Sequence, residues 1–171
     1  MGIPDGSAPY ADFVSARWNA LYRVAFLLTG GDADAEDLLQ STLVKAYVNW
    51  ERVTSAGSAE AYVRRILVNT FVSGRRRAWT REDPVEVVPD IRVAGAEDAA
   101  DDRLGLWPQV LGLPARQRAV VVLRYYEDLT LQETANVLGV SIGTAKSQAS
   151  DALRALRAGL NDQEGAEPWT S

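Results

Sequence analysis

Apolar residues recur along the first third of the chain at the spacing of amphipathic helices. From Trp18 they return three, four and seven positions apart, and Thr29 with two glycines follows the last of them. Positions with these intervals share one face of an α-helix. The pattern therefore predicts a helix from near Trp18 to Thr29. The side chains expected inside are Leu21, Tyr22, Ala25 and Leu28.

Two more helices are predicted in the N-terminal half. Asp32 or Asp34 can cap the first, because a side-chain oxygen at that position accepts a hydrogen bond from a free backbone N–H. A loop at about 53–59 follows, and Ser58 can cap the second helix in the same way. The side chains expected inside are Ala35, Leu38, Leu39, Leu43, Ala46, Tyr47 and Trp50, then Tyr62, Ile66, Thr70 and Phe71.

The C-terminal third carries the sharpest local signals. Pro114 fits the first turn of a helix, where its missing N–H costs nothing. Thr130 and Glu133 have the spacing of a capping box, which starts a short helix. Gly139 suits the left-handed turn that ends this helix, and Ser141 can cap a longer helix to about residue 156. Together these elements form a helix-turn-helix, an arrangement typical of DNA-binding proteins.

The second helix of this motif has two different faces. Its apolar face consists of Ile142, Ala145, Ala149, Ala152, Leu153 and Leu156. Its polar face consists of Thr144, Ser147, Asp151 and Arg154, flanked by Gln148 and Ser150. Gln, Ser, Thr and Arg side chains can all hydrogen-bond to base edges. We therefore favour DNA binding by the polar face over the alternative, a solvated face on an ordinary helical hairpin.

A second polar face lies in the N-terminal half. Arg65, Asn69 and Ser73 are four residues apart, so they share one side of the third helix. Arginine and asparagine can contact phosphates and base edges, and the arginines at 75–77 could anchor a phosphate backbone. The alternative is that this helix surface, which also includes Arg64, is simply solvated. The arginines at 75–77 would then be no more than a basic tether.

Between the two halves lies a segment without helical period. Residues 80–105 carry three basic and eight acidic side chains, while the whole chain has a net charge of −5. An acidic, proline-containing segment of this kind is typical of a linker. No strand alternation or internal repeat appears. We predict an all-α fold of two small helical domains, 10–79 and 101–160, joined by a flexible acidic linker, 80–100, with a tail at 161–171.

Composition excludes several classes of function. The chain has neither cysteine nor histidine, so disulfides, thiolate metal sites and the usual general base are excluded. No apolar run is long enough to span a membrane, and the N-terminus lacks the basic and apolar segments of a secretion signal. We expect a cytoplasmic protein without membrane insertion, metal or cofactor.

An enzyme is the first alternative function. Asp32, Asp34, Glu36 and Asp37 could ligate a magnesium ion. However, no phosphate-binding glycine loop accompanies them, and acidic residues at a helix start are explained by capping and by the helix dipole. We therefore predict no catalytic residues.

Six short motifs follow one another in a fixed order. They are AEDLLQ at 35–40, KAY at 45–47, YVRRILVNT at 62–70, LPARQR at 113–118, LRYY at 123–126 and GTAKS at 143–147. In this order they resemble the extracytoplasmic-function (ECF) sigma factors of the sigma-70 family. The segment LLTG at 27–30 and the uncharged Gln148 are similar to the sequences of the sigma-E-like actinobacterial branch. The resemblance covers about residues 10–160.

The resemblance implies a transcription-initiation factor that directs promoter recognition and DNA melting. Its implied partners are core RNA polymerase, promoter DNA and, as an open question, an anti-sigma factor. The residues implied for core polymerase binding are Glu36, Asp37, Leu39 and Gln40. Those implied for the minus-ten element are Arg64, Arg65, Asn69, Ser73, Arg75, Arg76 and Arg77. Those implied for the minus-thirty-five element are Thr144, Lys146, Ser147, Gln148, Ser150, Asp151 and Arg154.

Some features leave alternatives open. A sigma-mimicking regulator should lack the DNA-facing Arg65 and Asn69, and a stand-alone helix-turn-helix factor leaves the N-terminal domain unexplained. Trp50 and Tyr62 could stack on an unpaired base or simply pack in the core. Three residues depart from the family pattern: Asp151 replaces a usually basic residue, Ala145 replaces a larger aliphatic one, and Pro108 should start or kink a helix.

Overall fold

The computed structural model describes residues 7–74 and 105–164. The chain divides into two compact units, and the division falls between these two ranges. Every regular element in them is helical, so the predicted all-α class is confirmed. The expected linker at 80–100 lies outside the described residues. Of the expected tail, 161–164 belong to the last helix, and 165–171 also lie outside.

The N-terminal unit contains four helices: α1 (Ser7–Thr29), α2 (Asp32–Val48), α3 (Trp50–Ser55) and α4 (Ala59–Gly74). α2 packs against both α1 and α4. The centre of the unit is a set of fully buried side chains that includes Leu28, Leu38, Leu39, Leu67 and Phe71. These residues come from α1, α2 and α4, so their packing fixes the position of α4 relative to α2.

α1 begins well before the predicted start at Trp18. Its first turns are mostly exposed, so no apolar stripe marks them. They are held instead by aromatic side chains: the Tyr10 ring lies 5.0 Å from Tyr47 and 5.4 Å from Trp50, centroid to centroid. Phe13 lies 5.5 Å from Trp50. The early start of α1 therefore depends on contacts with residues distant in sequence.

The turn between α1 and α2 differs from the prediction. Gly30 takes a left-handed conformation with φ of 86°, and Gly31 occupies the N-cap position of α2 without a side-chain cap. The expectation that Asp32 or Asp34 caps this helix is wrong, because both lie inside its first turn. Asp32 instead accepts a hydrogen bond from the Tyr22 hydroxyl.

The phase of α4 also differs from the prediction. Ser58 caps the helix as expected, since the backbone N–H of Ala61 donates to its Oγ at 3.2 Å. Phe71 is buried, but Tyr62, Ile66 and Thr70 are only half-buried. The residues inside are Val63, Leu67, Val68 and Phe71. The expected loop at 53–59 is shorter than predicted and covers only 56–58, because α3 continues to Ser55 with Val53 buried against the core.

The C-terminal unit contains α5 (Trp107–Leu111), α6 (Ala115–Val121), α7 (Leu131–Leu138) and α8 (Ile142–Glu164). α6 continues into a π-helical turn at Val122–Tyr126. α8 packs against α5, α6 and α7. Pro108 lies in the first turn of α5, so it starts this helix as predicted. Pro114 is the N-cap of α6 rather than its first residue.

Two arginines fix the ends of α5 and α6. Arg118 is buried, and its guanidinium donates to the carbonyls of Leu111 and, at 3.2 Å, Leu113. Arg124 Nη1 donates to the carbonyl of Leu129 at 2.9 Å. Leu111 is the last residue of α5, and Leu113 and Leu129 lie in the loops before α6 and α7. Carbonyls at and beyond a helix end have no partner within the helix. The two arginines therefore stabilise the loops that precede α6 and the helix-turn-helix.

Candidate nucleic-acid interface

Local capping interactions orient the helix-turn-helix. The backbone N–H of Thr130 donates to Glu133 at 2.7 Å, and that of Glu133 donates to the Thr130 hydroxyl at 3.1 Å, so the predicted capping box is confirmed. Gly139 ends α7 in the predicted left-handed conformation, with φ of 65°. The N–H of Thr144 donates to Ser141 Oγ at 3.1 Å, which confirms the predicted cap of α8.

The inner face of α8 is narrower than predicted. Ala145, Ala152 and Leu156 are buried, whereas Ile142 is 45% exposed. The small Ala145 side chain is fully buried, so its replacement of a larger residue is accommodated. α8 also continues past residue 156 to Glu164, and the mostly exposed residues of this extension carry no apolar stripe that predicts it.

The outer face of α8 carries six of the seven predicted residues. The exposed side chains are Thr144, Lys146, Ser147, Ser150, Asp151 and Arg154. Gln148 is half-buried on the inner side of the helix. Arg154 Nη1 and Asp151 Oδ1 form an ion pair at 3.2 Å. Asp151, which departs from the family pattern, is therefore ion-paired with Arg154, which is itself a candidate for contacts to bases.

In the N-terminal unit, α2 and α4 enclose a surface pocket of about 470 Å³. Arg65, Asn69 and Ser73 of α4 line it, as their spacing predicts for one face. Lys45 of α2 closes the opposite side, where its Nζ donates to Thr70 Oγ1 at 3.1 Å. The remaining lining residues are Tyr62 and Ile66. Cationic and apolar groups thus meet in one pocket.

The exposed face of α2 carries both acidic and apolar side chains. Glu36, Asp37 and Gln40 are exposed on it. Further along the helix the same face presents Val44, Tyr47 and Val48, which are 63%, 55% and 76% exposed. The prediction that Tyr47 lies inside is therefore wrong, and neither valine was among the predicted surface residues. Val44 and Val48 follow the polar Gln40 at intervals of four residues, which places them on the same face. This spacing is the sequence signal that could have revealed the surface.

Comparison with known proteins identifies the family of both units. Residues 13–81 match the model of Sigma-70 region 2, and residues 111–158 match that of Sigma-70 region 4. The RNA polymerase sigma-E factor of Streptomyces coelicolor is 38% identical over 86% of this chain and 84% of its own length. The ECF RNA polymerase sigma factor SigL of Mycobacterium tuberculosis is 34% identical over 83% of each chain.

The chain belongs to the ECF sigma factors. It also resembles a solved structure of the sigma factor RpoE in complex with the anti-sigma factor NepR from Bartonella quintana. The TM-score is 0.66 at 26% identity, over 90% of this chain and 97% of the other. The ECF sigma factors are transcription-initiation factors, so core RNA polymerase and promoter DNA are the partners of this one. A stand-alone helix-turn-helix factor would not contain the matched region 2.

Two residues predicted for the sites of this sigma factor lie apart from the others. Arg64 faces away from the pocket and is paired with Glu60 at 3.3 Å, which also binds Arg17 of α1 at 3.4 Å. Leu39 is fully buried in the core, so it supports α2 from within. Arg75, Arg76 and Arg77 lie outside the described residues. The structure therefore brings together Arg65, Asn69 and Ser73, but not Arg64.

The hydroxyl of Tyr22 ties α1 of the sigma factor to the start of α2. Burial, the hydrogen bond to Asp32, and the negative charges of Asp32 and Glu36 raise the pKa of Tyr22 to about 12. The phenol therefore remains a hydrogen-bond donor at neutral pH. This contact stabilises the first turn of α2, which carries the exposed acidic residues.

Within residues 7–74 and 105–164, no three acidic side chains converge on a point where a metal ion could bind. None of the helices in these two ranges qualifies as a membrane-spanning segment. The acidic residues at the start of α2 are thus spread around the helix rather than gathered as ligands.

Proposed function

We propose that this ECF sigma factor uses three separate surfaces to start transcription. The outer face of α8 reads the minus-thirty-five element, the pocket face of α4 contacts the minus-ten element, and the exposed face of α2 docks on core RNA polymerase. The observation that carries the proposal is the outer face of α8, where six predicted DNA-contacting side chains are exposed on a helix whose start is fixed by the Ser141 cap.

At the minus-thirty-five element, α8 enters the major groove with its short polar side chains toward the bases. Thr144, Ser147 and Ser150 allow close approach and can hydrogen-bond to base edges. Lys146 and Arg154 neutralise phosphates or donate to guanine. The half-buried position of Gln148 gives less support to a base contact by that residue.

At the minus-ten element, the pocket between α2 and α4 receives an unpaired base. Recognition of a flipped base requires a pocket with an apolar wall and polar groups at its edge. Tyr62 and Ile66 supply the wall, and Arg65 and Asn69 supply polar groups. The sequence adds the arginines at 75–77 as anchors for the phosphates of the same strand.

For polymerase docking, Glu36, Asp37 and Gln40 form the polar part of the surface on α2. The exposed Val44 and Val48 extend it with apolar area, which interfaces bury at their centres. The double substitution Asp37→Arg with Gln40→Ala should therefore weaken co-purification with core polymerase. Both side chains are exposed, so the circular dichroism spectrum and melting temperature should stay close to those of the wild type. Unchanged co-purification would contradict the assignment of this surface.

The chain is proposed to have no catalytic activity of its own, because the polymerase carries out RNA synthesis. It acts in the cytoplasm, where core polymerase and promoter DNA are found. An anti-sigma factor is a further proposed partner. The similarity to a Bartonella quintana sigma factor that binds one supports this part of the proposal.

Run-off transcription with purified bacterial core polymerase tests the function as a whole. Reactions with the protein should produce a promoter-dependent transcript, and reactions with core polymerase alone should not. A sigma-mimicking regulator would bind an anti-sigma factor and yet give no transcript, so this outcome would overturn the proposal.

A further inference from the structure

Ile142, the first residue of α8, places an apolar side chain beside the polar outer face of that helix. We propose that Ile142 reads the C5-methyl group of a thymine in the minus-thirty-five element through apolar contact. The inference rests on the proposed binding of α8 in the major groove of that element. It goes further by naming Ile142 as a specificity-determining residue and a methyl group as the feature that it selects.

The side chain of Ile142 remains in solvent although the helical pattern places it on the inner face. Ile142 is 45% exposed, whereas Ala145, one turn later on that face, is fully buried. Single exposed apolar residues are common on protein surfaces, so exposure alone assigns no partner. The place of Ile142 on the helix decides what it can contact.

The start of α8 is the part of a helix-turn-helix that reaches base edges. In this motif the N-terminal residues of the second helix contact the bases. Ile142 precedes the exposed Lys146 by four residues, so the two lie on the same side of α8. The first turn is held in place by Ser141, whose carbonyl accepts from the backbone N–H of Ala145 at 3.0 Å. Ile142 therefore has a fixed position at the edge of the proposed DNA surface.

Gly143 leaves the space beside Ile142 open. Apart from the chain neighbours of Gly143, a Cβ added there would lie within 4 Å of Ser141 Oγ alone among the described residues, at 3.8 Å. No side chain at this position keeps a DNA strand away from the first turn. A base edge can therefore approach Ile142 closely.

The chemistry of isoleucine determines which group of a base it can contact. The side chain has no hydrogen-bond donor or acceptor, so contact with a polar base edge would leave that edge without a partner. In the major groove, the C5-methyl of thymine is the apolar group that distinguishes one base from the others. A β-branched side chain also has few rotamers to lose on binding. Ile142 therefore favours thymine over cytosine, which carries a hydrogen at C5.

Deoxyuridine differs from deoxythymidine only by the missing methyl group, so it isolates the proposed contact. The minus-thirty-five element is first selected from randomised duplex with holoenzyme, assembled from the full chain and core polymerase. Each thymine of the element is then replaced singly, and affinity is measured by fluorescence anisotropy at fixed salt. Wild-type holoenzyme should lose about fourfold at one position, the size expected for one methyl group removed from apolar contact.

Ile142→Ala should abolish the distinction at that position. The variant should bind the thymine and deoxyuridine duplexes alike, because the partner of the methyl group is gone. Ile142→Val keeps the β-branched shape and should retain part of the preference. At the same position, wild-type holoenzyme should bind 5-methylcytosine more tightly than cytosine, and Ile142→Ala should not distinguish the two.

Leu160→Ala is the matched control, because Leu160 is an exposed apolar residue on a later turn of the same helix. This variant should keep the full loss of affinity on deoxyuridine substitution. Thermal unfolding and co-purification with core polymerase check that each variant is folded and assembles into holoenzyme.

Failure of the inference and failure of the proposed function give different results. If wild type selects an element that contains no thymine, or if no deoxyuridine substitution weakens binding, the inference is overturned and the proposed function stands. A deoxyuridine effect that persists in Ile142→Ala means that another side chain contacts the methyl group, and this also overturns the inference. If wild type selects no upstream element at all, the proposed reading by α8 fails together with the inference.

Discussion

The ion pair between Asp151 and Arg154 explains how an acidic residue can stand on the face of α8 that we propose reads DNA. Both side chains are well exposed, so the pair itself contributes about 1 kcal/mol or less to stability. Its larger effect concerns DNA. Asp151 holds the Arg154 guanidinium close to the helix surface and adds a negative charge where phosphates approach.

Removal of this charge should strengthen DNA binding. Asp151→Asn in holoenzyme should raise the affinity for duplex that carries the minus-thirty-five element by roughly threefold to tenfold at moderate salt, because fewer negative charges oppose the phosphates. Fluorescence anisotropy at fixed salt measures the change. Asp162→Asn, on an exposed later turn of α8, is the control and should have little effect. A loss of affinity in the Asp151 variant would mean that Asp151 reads a base directly.

Tyr22 gives the N-terminal unit a defined response to alkaline pH. The pKa of a tyrosine in the unfolded chain is about 10, and in the folded protein it is raised to about 12. The folded state therefore holds the proton more tightly. The stability from this group is fully present below pH 10 and is lost as the pH rises toward 12.

Tyr22→Phe should remove this part of the pH dependence. The urea midpoint of the wild type should fall more steeply than that of the variant between pH 10 and 12, and the two curves should run parallel below pH 9. Tyr125→Phe, in the other unit, controls for the general loss of a phenol. Parallel curves for wild type and Tyr22→Phe over the whole range would contradict the assignment.

At the scale of elements, α4 has two polar faces with different surroundings. Arg65 and Asn69 line the pocket, whereas Arg64 joins α4 to α1 through Glu60 and Arg17. Arginines that are neighbours in the sequence therefore lie on different faces of α4. The spacing of the pocket residues predicted one face, and only the family resemblance added Arg64, which a residue-by-residue resemblance cannot assign to a face.

The two faces should respond differently to alanine substitution. Arg65→Ala and Asn69→Ala should impair strand opening in permanganate footprints, because they remove contacts to the unpaired strand. Arg64→Ala is the matched control. It should leave opening intact but lower the free energy of unfolding by about 1 kcal/mol, a typical cost for a lost partly buried interaction. Normal opening in the Arg65 and Asn69 variants would contradict this division.

The elements also show which structural features can be predicted from sequence. The capping box at Thr130, the Gly139 turn and the Ser141 cap were predicted correctly, because each depends on residues within one helical turn. The start of α1 and the inward face of α4 were not. Tyr62 and Thr70 follow a helical stripe, but they line a pocket whose other wall is formed by Lys45, and no local pattern shows that neighbour.

At the scale of the whole molecule, two units that we propose to contact DNA are joined in a chain with a net charge of −5. Nonspecific affinity for DNA comes mainly from neutralised phosphates. The outer face of α8 offers few cations for this purpose, and Asp151 offsets one of them. Each unit by itself should therefore bind DNA weakly, and specificity should depend on the simultaneous use of both.

The free protein should accordingly bind promoter duplex poorly, and the holoenzyme should bind it tightly. Polymerase fixes both units at the spacing of the two promoter elements, so the second contact becomes intramolecular and gains roughly a hundredfold or more. Anisotropy at fixed salt compares free protein, holoenzyme and a variant with neutralised Glu82, Asp83, Glu86 and Asp90, which tests masking by the acidic segment. Tight sequence-specific binding by the free protein would overturn the prediction.

The outer face of α8 has a consequence for how promoter preference can diverge. Thr144, Ser147, Ser150 and Arg154 are exposed, whereas Ala145 and its buried neighbours hold the helix in place. Exposed substitutions usually change stability by no more than about 0.5 kcal/mol. Duplicated copies of such a gene could therefore acquire new target sequences through these few positions while the fold stays intact. The same separation makes α8 a practical starting point for designing orthogonal transcriptional switches.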